Sequence, residues 1–311
     1  TEEALQTRTR IAHRNQVEAQ LQSRPEKMTA IGALLDGFID YAGTYPPANL
    51  DLEAAVRCYL EYRRGPQVAA LGRFVIDASR LCDLRRIAGS DFVRMPLAVC
   101  APSASDGSAL LHDRGANAAL DIYEIKCVDP TQIVEIASRL PSAASVYFEV
   151  PVESPNLAAL DAASSAGARI KLRMGGVVAS AFPSPHAVVT MLRALAGRPL
   201  AFKATAGLHH PLRSQHPFTC APASPVGAMH GFLNLFCAAA LIYLGGDEEE
   251  AVALLNESDP AAWHVSAESI ACRSFRVSTQ QIRDMRQRFF LGFGSCSFEE
   301  PIADLEALGW L

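Results

Sequence analysis

Short apolar runs of strand length alternate with helix-length stretches along this chain at an even beat, and nothing else in the sequence constrains the fold as strongly. Strand-like runs fall at 37–41, 72–76, 97–100, 122–128, 146–150, 169–173 and 200–205, with a less regular eighth at 291–297. Helical periodicity fills the intervals at 51–63, 78–88, 105–115, 130–140, 155–166, 184–197, 226–243 and 279–289. Most strand-to-strand steps are about 25 to 35 residues, the length of one βα unit. Strands joined by helical crossovers lie parallel in their sheet. Eight such units closing a (β/α)8 barrel of the TIM type need about 250 residues. That fits the 311 residues once the polar, helix-prone N-terminus is set aside. The expected organisation is an N-terminal helical extension over 1–30 and a single barrel domain over 31–311.

A doubly wound open sheet is the rival architecture. No G-x-G-x-x-G follows any of the strand-like runs, and no G-x-x-x-x-G-K-[ST] occurs. The charges inside the strands separate the two folds. Four consecutive runs carry charge at alternate positions: Glu124 and Lys126, then Glu149, then Lys171 and Arg173, then Lys203. Alternation puts these on one face and Ile125, Phe148, Ile170, Leu172 and Phe202 on the other. A barrel has an inner face to receive the charges, near the mouth where barrel enzymes do their chemistry. An open sheet buried on both faces should read as nearly continuous apolar runs.

Composition sharpens the reading. Of 28 basic residues only four are lysine: Lys27, Lys126, Lys171 and Lys203. Where arginine supplies nearly every cation, lysine inside a strand points to amine chemistry. An amine can release its proton and attack a carbonyl, and a guanidinium cannot. Lys171 in RIKLRMGG and Lys203 in LAFKATAG are each followed, four residues on, by glycine. A lumen lysine beside other cations has its ammonium form disfavoured, so the neutral amine is the expected state. Glu124 or Glu149, with Lys126 nearby, can then move protons. The bland reading is a salt-bridged layer of Glu124, Glu149, Lys126 and Arg173, although burying ion pairs gains little stability.

The pattern K-x-x-x-G on one strand and F-K-A-T-A-G on the next resembles class I (Schiff-base) aldolases of the deoxyribose-phosphate aldolase type, over about residues 169–207. That resemblance implies that Lys171 forms the Schiff base and that Lys203 tunes it. The family's first strand reads closer to K-T-S-T-G, where this chain has Arg173 in the middle. Its second reads K-A-x-G-G, where this chain has Thr205-Ala206-Gly207 before His209-His210. The resemblance therefore passes on no substrate, and it implies no cofactor. The segment KATAG is also similar to a strand of the RuBisCO family. An enolase- or RuBisCO-like reading places Mg²⁺ on Glu124, Glu149 and a carbamylated Lys126, with Lys171 or Lys203 as base. A non-catalytic, anion-binding barrel is the third reading.

Arg173, Arg73, Asp40 and Asp77 are expected to face the barrel mouth as substrate contacts. The stretch GLHHPLRSQHPFTCAPASP holds His209, His210, Arg213 and His216, and reads as a long loop or lid over that mouth, with His209, His210 and Arg213 expected to bind a substrate carboxylate or phosphate or to supply a proton donor. His230 reads as a packing residue. Gly175-Gly176, Gly207 and Gly294-Ser295 can offer backbone N–H groups to an anion. Ser297 to Glu300 fits a capping box opening a helix.

Eight cysteines without a C-x-x-C or zinc-type spacing suggest free thiols in a reducing compartment. The N-terminus has no apolar signal region. Residues 226–244 form a run of about 19 without formal charge, but it contains His230 and Asn234 and leads into GGDEEE. It reads as a buried helix rather than a membrane span. A net charge of −5 argues against a nucleic-acid partner. The expectation is a cytoplasmic enzyme acting on a small carbonyl compound bearing phosphate or carboxylate. Homo-oligomerisation through the apolar 226–244 helix is left open.

Overall fold

The computed structural model describes residues 29–107, 122–140, 145–198 and 200–311. Residues 1–28 of the extension expected over 1–30, and most of the helix expected at 105–115, lie outside them. The described chain opens on helix α1 (Ala30–Leu35) and runs through β1 (Ile39–Tyr41), α2 (Leu52–Tyr62), β2 (Leu71–Asp77), α3 (Leu81–Ala88), β3 (Leu97–Ala101) and β4 (Ile122–Lys126). It continues through α4 (Pro130–Ser138), β5 (Ser145–Val150), α5 (Leu157–Ser165), β6 (Arg169–Arg173), α6 (Pro185–Ala196) and β7 (Phe202–Thr205). A hairpin of β8 (Ser214–Pro217) and β9 (Val226–Met229) follows, then α7 (Phe232–Tyr243) and α8 (Glu248–Asn256). A small antiparallel sheet of β10 (Trp263–Val265), β11 (Ser269–Cys272) and β12 (Phe275–Ser278) precedes α9 (Thr279–Arg288), β13 (Phe290–Ser295) and α10 (Glu299–Ala307).

Strands β1 to β7 and β13 close a barrel in which every neighbouring pair is parallel, with β13 seated between β7 and β1. All eight strand-like runs of the sequence are its staves. Alternation then divides the barrel as expected. Ile125, Phe148, Ile170, Leu172 and Phe202 are fully buried between staves and helices. Inside, a small apolar layer of Ala42, Val75, Ala98, Ile122 and Tyr147 lies among the charged positions. Helix starts are fixed by side chains that accept from free backbone N–H groups: Asp51 for α2, Asp129 for α4, Asn156 for α5, Ser184 for α6 and Ser278 for α9.

The 226–244 run divides where its composition changes. Its first residues form β9, and the helix begins only at Phe232, after Gly231. Every residue from Phe232 to Ile242 is buried within the chain, so α7 offers no face for pairing with a second copy. Asn234 is tolerated there because all its groups are used. Its Oδ1 accepts from Arg213 N at 2.8 Å, and its Nδ2 donates to the Leu254 and Glu257 carbonyls at 2.7 Å each. No described helix is long and apolar enough to cross a membrane.

Candidate active site

The staves bring their inward charges into one connected chain. Glu124 on β4 is almost sealed, at 3% exposure. Its Oε2 accepts from Lys171 Nζ at 2.8 Å, and its Oε1 accepts from Lys203 Nζ. Lys203 also donates to Asp40 Oδ2 at 2.5 Å, while Asp40 Oδ1 accepts from the Arg73 backbone N–H at 2.6 Å. At the other end, Lys171 Nζ lies 3.1 Å from Glu149 Oε2, and Glu149 Oε1 accepts from Arg173 Nε at 2.9 Å. The order is Asp40, Lys203, Glu124, Lys171, Glu149, Arg173, with the sign changing at every step. Strand β13 carries Gly292 and Gly294 in register with Lys203 and Asp40. With no side chain at those positions, Lys203 on β7 reaches Asp40 on β1 across the intervening stave.

Electrostatics overturns the expectation of a neutral amine. Burial alone would lower the Lys171 pKa, but Cys100, Glu124 and Glu149 outweigh it and raise it above the ordinary lysine range. For Lys203 burial is likewise outweighed, by Asp40 and Glu124. Burial pushes the Glu124 carboxyl up, yet the two ammonium groups hold it well below the carboxylate range. Glu149 is lowered in the same way by Lys171 and Arg173. The cations were expected to destabilise one another, and the interleaved carboxylates reverse the sign. Burial takes the Cys100 thiol up to about 12 against the opposing pull of Lys171, so its S–H donates to Glu124 Oε2 at 3.4 Å.

Above this chain lies a cavity of about 210 Å³ at the barrel mouth, lined by Tyr45, Cys100, Lys171, Arg173, Thr205, His209 and Cys296, among others. Lys171 reaches it, while Lys203, 3% exposed, lies outside its lining. A neighbouring cavity of about 310 Å³ lies under the β8–β9 hairpin and shares His209 and Cys296 with the first. The expected lid is thus a two-stranded hairpin, whose Phe218 packs on Phe182 with ring centres 5.1 Å apart.

Several expected site residues stand elsewhere. Lys126 is exposed at the end of β4 and has no place in the charged chain, because the lumen has already opened to solvent there. Asp40 is a buried partner of Lys203 rather than a mouth residue, and Asp77 accepts from Ser79 N at 2.9 Å in the turn after β2. Arg73 enters through its backbone, and its side chain is absent from the lining of either mouth cavity. The Arg213 guanidinium lies 3.4 Å from His230 Nδ1, away from both cavities, while His230 Nε2 donates to the Pro183 carbonyl at 2.8 Å. His210 bonds Asp304 at 2.6 Å, stacks on His216 and faces only the second cavity. His209 lines both.

At the expected anion cradle, Gly175 and Gly207 pack closely against each other and Phe182, while Gly176 lines both cavities and Gly207 the second. A Cβ on Gly175 would lie 2.5 Å from the Phe182 ring and 2.9 Å from the Gly207 Cα. The capping box forms only by half. Ser297 Oγ accepts from Glu300 N at 3.2 Å, but the Glu300 carboxylate turns to His209 Nδ1, at 2.9 Å. Tyr45, Cys100 and Cys296 escaped the sequence reading. Cys100 had a signal, since it has the lumen parity of β3 and sits in register with Glu124.

The carboxylates do not suit a divalent cation. Both oxygens of Glu124 and of Glu149 face ammonium or guanidinium groups, and Lys126 is outside the cluster. Among the described residues, no three His, Cys, Asp or Glu side chains converge as ligands. The residues present do not fit Mg²⁺.

No family model matches the sequence, and no curated protein matches it. Among solved structures, the aldolase QR15 aligns at 14% identity and a TM-score of 0.38, over 57% of this chain and 83% of its own. Muconate lactonizing enzyme from Pseudomonas putida aligns at 12% identity and 0.38, over 79% of this chain. An arginine decarboxylase of Paramecium bursaria Chlorella virus aligns at 10% and 0.33, over 55%. The chain spans 64% of the second and 48% of the third. The likeness to an aldolase is weak and partial.

Proposed function

We propose that this barrel is an enzyme, a lyase of the class I aldolase kind, acting on a small anionic carbonyl compound through a Schiff base on Lys171. The observation that carries this reading is that Lys171 lines the mouth cavity while Glu124 and Glu149 hold a positive charge on its nitrogen. A protonated Schiff base carries the same charge at the same atom, so the lumen is already arranged for the intermediate. Lys171 passes one proton to Glu149, and the amine adds to the carbonyl carbon. The oxygen takes up protons and leaves as water, and the iminium forms between the two carboxylates. The iminium then draws electrons from an adjacent carbon–carbon bond. Arg173, half-exposed at the rim, receives the anionic end of the substrate. Lys203, sealed below, neutralises the second oxygen of Glu124 and tunes it. With eight free thiols, a reducing, cytoplasmic setting suits the chain.

Borohydride trapping tests this. Incubation with a panel of small aldehydes, ketones and keto acids, followed by reduction, should leave a mass adduct on Lys171. Lys171→Arg keeps the charge and should abolish the adduct. No adduct across the panel, or one only on Lys203, would sink the assignment. The raised pKa of Lys171 favours one alternative, an anion-binding barrel without catalysis, for which Lys171→Arg should leave ligand affinity unchanged.

A further inference from the structure

The mouth holds a second set of reactive groups that the lysine chemistry leaves unused. Cys296 follows β13, is 8% exposed and lines both mouth cavities. Its Sγ lies 3.9 Å from His209 Nε2, and His209 Nδ1–H donates to Glu300 Oε2 at 2.9 Å. The three residues arrive separately, from the exit of β13, the segment after β7 and the first turn of α10. A nucleophile within reach of a base whose far nitrogen is fixed by a carboxylate is the arrangement that turns a thiol into a thiolate.

We propose that Cys296, His209 and Glu300 form a nucleophilic thiol site that adds to the carbonyl carbon of small aldehydes entering the mouth. The Cys296 thiol gives its proton to His209 Nε2, and Sγ bonds to the carbonyl carbon. The C=O π pair moves onto oxygen, and His209 returns the proton there. The product is a neutral thiohemiacetal, and the addition needs no oxidant or further reactant. Glu300 is a positioning residue that acts through the imidazole.

The surroundings favour charge separation. Burial alone would lower the His209 pKa, but Cys296 and Glu300 outweigh it and take it up to about 9. Other titratable groups near the pair are Tyr41 from β1, His210 from the segment after β7, His216 from β8 and Asp304 from the next turn of α10, and Tyr45, Cys100, Lys171 and Arg173 line the first cavity with it. Cys100, in the same cavity, lacks a histidine and stays a thiol with its pKa pushed up to about 12. The cavity thus holds a reactive thiol and an inert one. This assignment is independent of the Schiff-base reading.

Iodoacetamide alkylation of the full chain, mapped by peptide mass from about pH 5 to about pH 9, provides the test. At about pH 6, Cys296 should react at least about tenfold faster than the exposed Cys82 and Cys220. His209→Gln should bring it down to their level and move its pH midpoint upward. Glu300→Gln, on a half-exposed side chain that can be changed without emptying the core, should shift the midpoint the same way by less. In Lys171→Arg, which cannot form a Schiff base at that position, acetaldehyde should protect Cys296 reversibly and saturably. The proposal is overturned if Cys296 tracks Cys82 at every pH. It is equally overturned if the midpoint is indifferent to both His209→Gln and Glu300→Gln, or if acetaldehyde gives no protection. Failure of borohydride trapping at Lys171 would leave all of these readouts in place.

Discussion

The Lys171 ammonium and the Glu124 carboxylate meet at 2.8 Å inside the closed lumen, and each keeps the other ionised. Because Glu124 serves Lys203 as well, removing its charge takes one of two carboxylates from each of two buried cations, leaving Glu149 to Lys171 and Asp40 to Lys203. Glu124→Gln is therefore expected to cost about 3 to 5 kcal/mol in urea unfolding. A loss below about 1 kcal/mol would show that water reaches the lumen freely enough to screen the pair.

Acid should undo the same network. Glu124 and Glu149 are both lowered in the folded state, so the unfolded chain binds their protons more readily. The stability they supply is whole above the ordinary carboxylate value of 4.5 and drains away as pH falls through their lower folded values. Melting temperatures recorded through that range should fall steeply for the native chain. The slope should be shallower in Glu124→Gln, and parallel curves would refute the assignment.

On the alkaline side His209 sets the trend. Its folded pKa is raised from 6.5 to about 9, so its contribution is whole below 6.5 and is lost as pH rises through 9. With Glu300 half in solvent, the effect should be about 1 to 2 kcal/mol. His209→Gln should remove the decline in melting temperature between those values. A decline that survives the substitution would assign it to another group.

Close packing at the strand exits is testable on its own. Gly207 has a φ of +68°, and a Cβ there would lie 2.6 Å from the Phe182 ring and 3.0 Å from the Gly175 Cα. Gly207→Ala should cost about 2 to 4 kcal/mol, since backbone strain and overpacking act together. Adding Phe182→Ala should recover the steric part and leave the backbone part. Full additivity in a double-mutant cycle would contradict the contact.

The barrel was legible because each stave repeats one simple instruction: apolar residues toward the helices, charge toward the lumen. Lys171, Lys203, Glu124, Glu149 and Arg173 followed from that parity alone. The protonation state did not, because it depends on which carboxylate lies between which cations, and that is set by stagger around the barrel. Arg73 and Arg213 misled for a related reason, since sequence places a residue near the mouth without fixing where a long side chain turns. The sequence reads β8 as loop and β9 as the start of the helix at 226–243, because four-residue strands containing proline or glycine carry little alternation. Cys296 drew no notice, since only the fold brings it within reach of His209, 87 residues away in sequence.

The bridge from Lys203 to Asp40 joins positions 163 residues apart, across a stave formed almost at the end of the chain. Until β13 slots between β7 and β1, Asp40 has no route to Lys203, although β4 to β7 already bring Glu124 and Glu149 to the two lysines. Lys203 consequently acquires its second carboxylate only when the ring closes, while the pairs of Lys171 with Glu124 and Glu149 need no closure. A ring broken at that seam would keep the Lys171 pairs and the Lys203–Glu124 pair yet leave Asp40 without its ammonium. The Lys203–Asp40 contact therefore reports on the integrity of the whole circle, and a local opening at β13 should break it before the rest of the charged network is lost.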